Sequence, residues 1–295
     1  MKERLKKIPS WLKWTVKWSV SFVIIYLLVT KIDWIAFNEV MQKAKFTWLI
    51  LAASLFTVSK WLSAERFRLL ILYDHPDFSF MENLRLYWKS MYYNLLLPGG
   101  ISGDAYKMKV LNERFGYGIK TLVRLVLIDR LSGLLALFQW MLVFALFIDR
   151  LKPFQFALGI SFVALTVLTF QCLRIFKMNS GSLKYQLAYY SVGVQGAQVL
   201  SAAFIIYGLK QDTHLLSYLL LFLASSLAAM IPVTIGGAGA RELCFMYGAP
   251  LVGGSATEAT AVGFVFYLIS SFVSLMGIFW VISESKGMFR HSPTQ

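Results

Sequence analysis

The chain has 295 residues, of which 58% are hydrophobic and only 15% charged, with a mean hydropathy of +0.62. That balance excludes an ordinary soluble domain and leaves an integral membrane protein. The formal net charge of +14 requires no nucleic-acid partner, since basic loops facing an anionic leaflet account for it.

The N-terminal stretch "MKERLKKIPSWLKWTVKW" is basic, and the apolar run behind it has no small-residue cleavage site. An uncleaved first helix is therefore expected, not a signal peptide. A helix needs about 20 mainly apolar residues to cross the hydrocarbon core. Six runs approach or exceed that size: 14–30, 46–63, 122–148, 154–173, 187–209 and 259–282. Trp34, Trp48, Trp61 and Trp280 fall at or beside their ends, where amphipathic rings prefer the headgroup level, whereas Trp140 lies mid-run and reads as packing.

Segment 84–98 differs: it has about 15 residues and includes Arg85 and Lys89, which is short and charged for a full crossing. A re-entrant segment is expected there. Charge placement agrees. If the segment dips in and returns, Lys107, Lys109, Arg114 and Lys120 lie in the cytoplasm, together with Arg174, Lys177 and Lys184 two helices later. A full crossing would put both basic loops outside, against the positive-inside rule.

Segment 215–235, followed by "GGAGARE", repeats the pattern. Pro98-x-x-Ile101-Ser102-Gly103-x-x-x-Lys107 aligns without a gap to Pro232-x-x-Ile235-Gly236-Gly237-x-x-x-Arg241, positions 98 and 232 being offset by 134. The order of elements repeats too: two crossings, a broken segment with a glycine turn, then a long crossing. The expectation is a single membrane domain, 1–295, of about six full transmembrane helices and two re-entrant segments. Its halves, approximately 14–148 and 154–282, are inverted, with both termini cytoplasmic. The alternative is that 215–235, at about 21 residues, simply crosses.

Non-helical backbone inside a bilayer is tolerated only where protein or a water-filled cavity satisfies it. A helix restarting after a glycine turn presents free N–H groups that favour phosphate, and Lys107 and Arg241 stand where they add positive charge. The alternative is a tight turn flanked by interfacial cations. Asp129 and Arg130 sit inside a long apolar helix, where each charge costs about 2.5 to 3.5 kcal/mol at mid-bilayer. Neighbours point about 100° apart on a helix, so partners are expected elsewhere, with Asp104, Lys107, Arg241 and Glu242 as candidates; the alternative is that both sit one or two turns from the interface and snorkel. Cys172 and Cys244 are far apart, and His75, His214 and His291 fall in separate connections. No metal, disulfide or cofactor is indicated.

The motifs "LLLPGGISGDAYK", "LIDRLSGLLAL" and "PVTIGGAGARE" together resemble the transmembrane region of lysylphosphatidylglycerol synthases, also called the flippase-like domain family. The resemblance implies movement of lipids or lipid-linked groups between leaflets of the plasma membrane. Its motif residues carry over to Gly103, Asp104, Lys107, Asp129, Arg130, Gly237, Gly239, Arg241 and Glu242 as candidate substrate-binding positions. In the best-known member the domain is fused to a cytosolic aminoacyl transferase; this chain ends at Gln295, and a stand-alone membrane domain without enzyme activity is expected.

The leading reading is a flippase or transporter for an anionic lipid, such as a phospholipid or a polyprenyl phosphate. No GxxxxGK[ST] supports ATP hydrolysis, so movement would run downhill or be coupled to a gradient through Asp104, Asp129 or Glu242. An intramembrane enzyme acting on lipid phosphates, with Ser102 as nucleophile, is the alternative. A third is a non-transporting partner of a separate lipid-modifying or glycosyl-transferring enzyme.

Overall fold

The computed structural model describes residues 26, 30, 33–72, 75–96, 101–175, 181–230 and 239–288, and among them every regular element is helical. The expected run 14–30 lies outside these residues, apart from Tyr26 and Thr30, which are helical. Helix α1 (Trp34–Gln42) starts at Asp33, whose carboxylate accepts the Ile35 and Ala36 N–H groups at 3.1 Å and so caps the first turn. Helix α2 (Phe46–Leu72) has 27 residues and outruns the apolar stretch 46–63. It does so because its later charges are matched: Glu65 pairs with Arg68 at 2.7 Å and Arg66 with Asp129 at 2.8 Å. Trp61, expected near a helix end, is thereby placed mid-helix and half exposed.

Ser79 and Glu82 form a reciprocal capping box at the start of α3 (Phe80–Leu96). Helix α4 (Ser102–Phe115) stops at Gly116, in the left-handed conformation with φ 68°. There follow α5 (Ile119–Leu146), a 3-10 turn (Asp149–Phe154), α6 (Gln155–Ile175), α7 (Gly181–Gly208), α8 (Leu215–Met230), α9 (Ala240–Gly248), α10 (Ala256–Leu275) and α11 (Gly277–Met288). Four spans among the described residues are long and apolar enough to cross a membrane: Phe46–Leu72, Leu151–Gln171, Ser182–Gly208 and Ala256–Ser283. The 28-residue α5 is also long enough, but carries Lys120, Arg124, Asp129 and Arg130. Helix α8 has 16 residues, or about 24 Å, short of the roughly 30 Å hydrocarbon core.

The centre of the fold is an antiparallel pair, α2 against α7. Lys45 N–H donates to Gly208 O at 2.9 Å, Ser201 Oγ to Ala52 O at 2.8 Å, and Arg66 Nη1 to Ser191 Oγ at 3.2 Å. These contacts define two ends of the bundle. At one end the C-terminal turns of α2 (Phe67, Leu70, Ile71) share a core with Leu122 and Leu125 of α5 and Leu183 and Leu187 of α7. At the other, the start of α2 meets the end of α7 and α8.

Helices α3 and α4 form a hairpin that returns to the first end. Phe78, just before α3, stacks edge-on against Phe115 at 5.5 Å, and Arg114 pairs with Glu82. Helices α8 and α9 form a second hairpin returning to the opposite end. Near its mouth the Ser255 N–H donates to Tyr218 Oη at 3.2 Å, and a side chain on Gly248 would strike Leu221. Among the described residues, the α3–α4 pair thus begins and ends at one end of the bundle and the α8–α9 pair at the other.

Candidate functional site

Two groups of charges lie inside the bundle, in opposite electrostatic states. In the first, Asp104 accepts from Lys107 Nζ at 2.8 Å through Oδ1 and from Arg130 at 2.6 Å through Oδ2. Arg66 Nε donates to Asp129 Oδ1 at 2.8 Å. Arg66, Asp104, Lys107 and Asp129 are buried. Lys107 is further covered by the Phe67 ring, 4.4 Å from its Nζ. This group ties α2, α4 and α5 together. Arg130 finds the partner expected for it, Asp104. Asp129 does not: its partner is Arg66, which lies beyond the apolar stretch read as a crossing.

The start of α4 is occupied as well. Gly103 N–H donates to Asn94 Oδ1 at 2.7 Å, and Lys107 is held by its own helix. A free N-terminus for phosphate, expected here from the glycine turn, is therefore partly closed by Asn94. At Gly103 a Cβ would collide with the carbonyl of Ser90 on α3. Its absence lets the two backbones of the hairpin touch.

The second group is open. A cavity of about 300 Å³ is lined by Asn94 and Leu95 near the end of α3, by Ala229 near the end of α8 and by Arg241 near the start of α9. Lys60 of α2, Tyr87 of α3, Gln198 of α7 and three serines of α10, Ser270, Ser271 and Ser274, complete the polar lining. Lys60 is the fifteenth residue of α2, about 21 Å along it and so near mid-depth. Its ammonium lies 4.4 Å from the Phe56 ring centroid. The Arg241 guanidinium lies 4.6 Å from the Phe266 ring centroid and donates to Ser225 and Ser226 hydroxyls at 3.0 and 3.1 Å. Neither cation has a carboxylate within 4.0 Å among the described residues.

Gly239 opens α9 with φ 84°, a conformation that L side chains rarely adopt. Its N–H donates to Glu242 Oε2 at 2.9 Å, so the buried Glu242 caps α9 from within the first turn. Gly237 lies outside the described residues. Of the positions singled out in the sequence, Arg241 lines the cavity; Asp104, Lys107, Asp129 and Arg130 form the paired group instead. Ser102, the candidate nucleophile, is not among the cavity's lining residues. Lys60 was missed. Its signal was the one used for Asp129, a charge inside an apolar run.

A larger cavity of about 400 Å³ between α5, α6 and α7 is lined mainly by apolar side chains and offers no cation. A third, of about 330 Å³ at the mouth of the first hairpin, holds Arg85, Lys89 and Arg114, with Glu82 paired to Arg114.

The sequence matches the family described as the lysylphosphatidylglycerol synthase TM region over residues 14–184, more than half of the 295. The chain belongs to this family. The match takes in "LLLPGGISGDAYK" and "LIDRLSGLLAL" but stops short of "PVTIGGAGARE". No curated protein matches the chain. Membership and the apolar spans together make this a membrane protein of the synthase-region family.

Proposed function

We propose that this member of the synthase-region family moves an anionic lipid between the leaflets of the plasma membrane, its headgroup passing through the cavity between the two hairpin tips. One observation carries the reading: Lys60 and Arg241, two cations with no carboxylate within 4.0 Å among the described residues, face the same mid-depth cavity. Each unpaired charge at such depth costs about 2.5 to 3.5 kcal/mol. That cost is offset when a phosphate occupies the cavity. The hairpins support the same reading, because helices broken near the midplane and inserted from opposite sides suit alternating access. On this view α3–α4 and α8–α9 are re-entrant and the halves are inverted. The end bearing the 107–120 loop faces the cytoplasm, as its positive charge favours. The acyl chains remain in the bilayer.

Purified protein in liposomes containing a fluorescent phosphatidylglycerol tests this by reduction of the outer-leaflet label. The unmodified chain should expose inner-leaflet lipid to the reductant. Lys60→Gln and Arg241→Gln should each slow that exchange at least tenfold, while Lys109→Gln, on the exposed face of α4, should not. Exchange unaltered in both cavity variants would remove the basis of the reading.

A further inference from the structure

The chemistry of the cavity wall also bears on which headgroup fits. Resting on the lipid-transport reading of the same cavity, we infer that its ligand is a phosphate ester of an uncharged polyhydroxyl group, and that headgroups bearing an ammonium are rejected. Lys60 and Arg241 supply the positive charge for the phosphate. The remaining polar groups are neutral: the amides of Asn94 and Gln198 and the hydroxyls of Tyr87, Ser270, Ser271 and Ser274. Such groups both donate to and accept from hydroxyls. The Ser271 Oγ is buried with no hydrogen-bond partner among the described residues.

Among the described lining residues none is a carboxylate. The segments that join each hairpin's two helices, 97–100 and 231–238, contain neither Asp nor Glu in their sequence. The nearby acids are committed, Glu242 to the Gly239 N–H, Asp104 to Lys107 and Arg130, and Asp129 to Arg66. An ammonium entering the cavity would therefore meet two like charges and no counter-charge. The cationic, aminoacylated lipid in the family's name is on this argument a poor ligand for this chain.

Equilibrium binding to the detergent-solubilised chain and exchange in liposomes should be measured in parallel. The probes are dioctanoyl phosphatidylglycerol, dioctanoyl phosphatidylethanolamine, a short-chain lysylphosphatidylglycerol, and free glycerol 3-phosphate. Phosphatidylglycerol should bind at least tenfold more tightly than either ammonium lipid, and Ser271→Asp should narrow that gap by favouring phosphatidylethanolamine. Weaker binding of glycerol 3-phosphate assigns the site to a lipid; equal binding assigns it to the headgroup ester alone, in free or lipid form, with the selectivity intact. Exchange that proceeds equally for all three lipids, with equal binding, overturns the selectivity while leaving transport standing. Selective binding without exchange does the reverse. Absence of binding by phosphatidylglycerol overturns the selectivity outright.

Discussion

Asp129 shows how a buried charge can look functional and serve the fold. Its carboxylate is held by Arg66 at 2.8 Å, with both side chains about a tenth exposed or less. Removing one partner of such a pair leaves the other uncompensated, typically at about 3 to 5 kcal/mol. Arg66→Ala and Asp129→Ala should each lower the melting temperature in detergent, and the double variant Arg66→Met/Asp129→Leu should recover much of the loss. A double variant as unstable as the singles would contradict this account. The sequence made the charges at 129 and 130 visible because they interrupt an apolar run. It did not reveal Arg66 as a partner, since pairing across 63 positions leaves no local pattern. Lys60 was legible on the same grounds as Asp129, and its cavity was not, because the lining comes from six separate helices.

Helix α3 is held by backbone contact on two sides. A Cβ on Gly103 of α4 would collide with the Ser90 carbonyl, and one on Gly277 of α11 would collide with the Trp88 carbonyl. Small residues at such points let helices approach closely where no water drives them together. Gly103→Ala should therefore cost about 1 to 3 kcal/mol through overpacking, seen as a lower melting temperature and faster proteolysis within α3 and α4. Unchanged stability in that variant would mean that α4 shifts freely against α3. The break between α3 and α4 was readable from Pro98, Gly99 and Gly100, as proline and glycine interrupt helices. The apolar segment reads from 84, four residues after α3 begins, because Glu82 looks like a loop charge until the Ser79 capping box is recognised.

The orientation proposed from the basic 107–120 stretch has a direct test. Glu113 on α4 and Asp149 after α5 are both exposed, at opposite ends of α5. With Cys172 and Cys244 replaced, Glu113→Cys should react with an impermeant maleimide only after cells are opened, and Asp149→Cys should react in intact cells. Labelling of both from the same side would be incompatible with α5 as a full crossing. The reverse pattern would invert the orientation inferred from the positive loops. The all-helical membrane class followed directly from composition, since runs of apolar residues have few other solutions in a bilayer. The packing of α2 on α7 did not, because their lipid-facing and protein-facing sides are almost equally apolar.

The aligned cations Lys107 and Arg241 are not equals. Three residues before Lys107 stands Asp104, which neutralises it; three residues before Arg241 stands Ala238, which cannot. A carrier built from two matching halves would present the same affinity to both leaflets, whereas these two aligned positions differ by one carboxylate. Under the proposed activity, half-saturation should then differ between inward and outward movement. In the absence of an energy source, detailed balance still requires the ratio of maximal rate to half-saturation to be the same in both directions. The loss of one carboxylate would thus tune which leaflet is sampled more tightly, and leave the final distribution of lipid untouched.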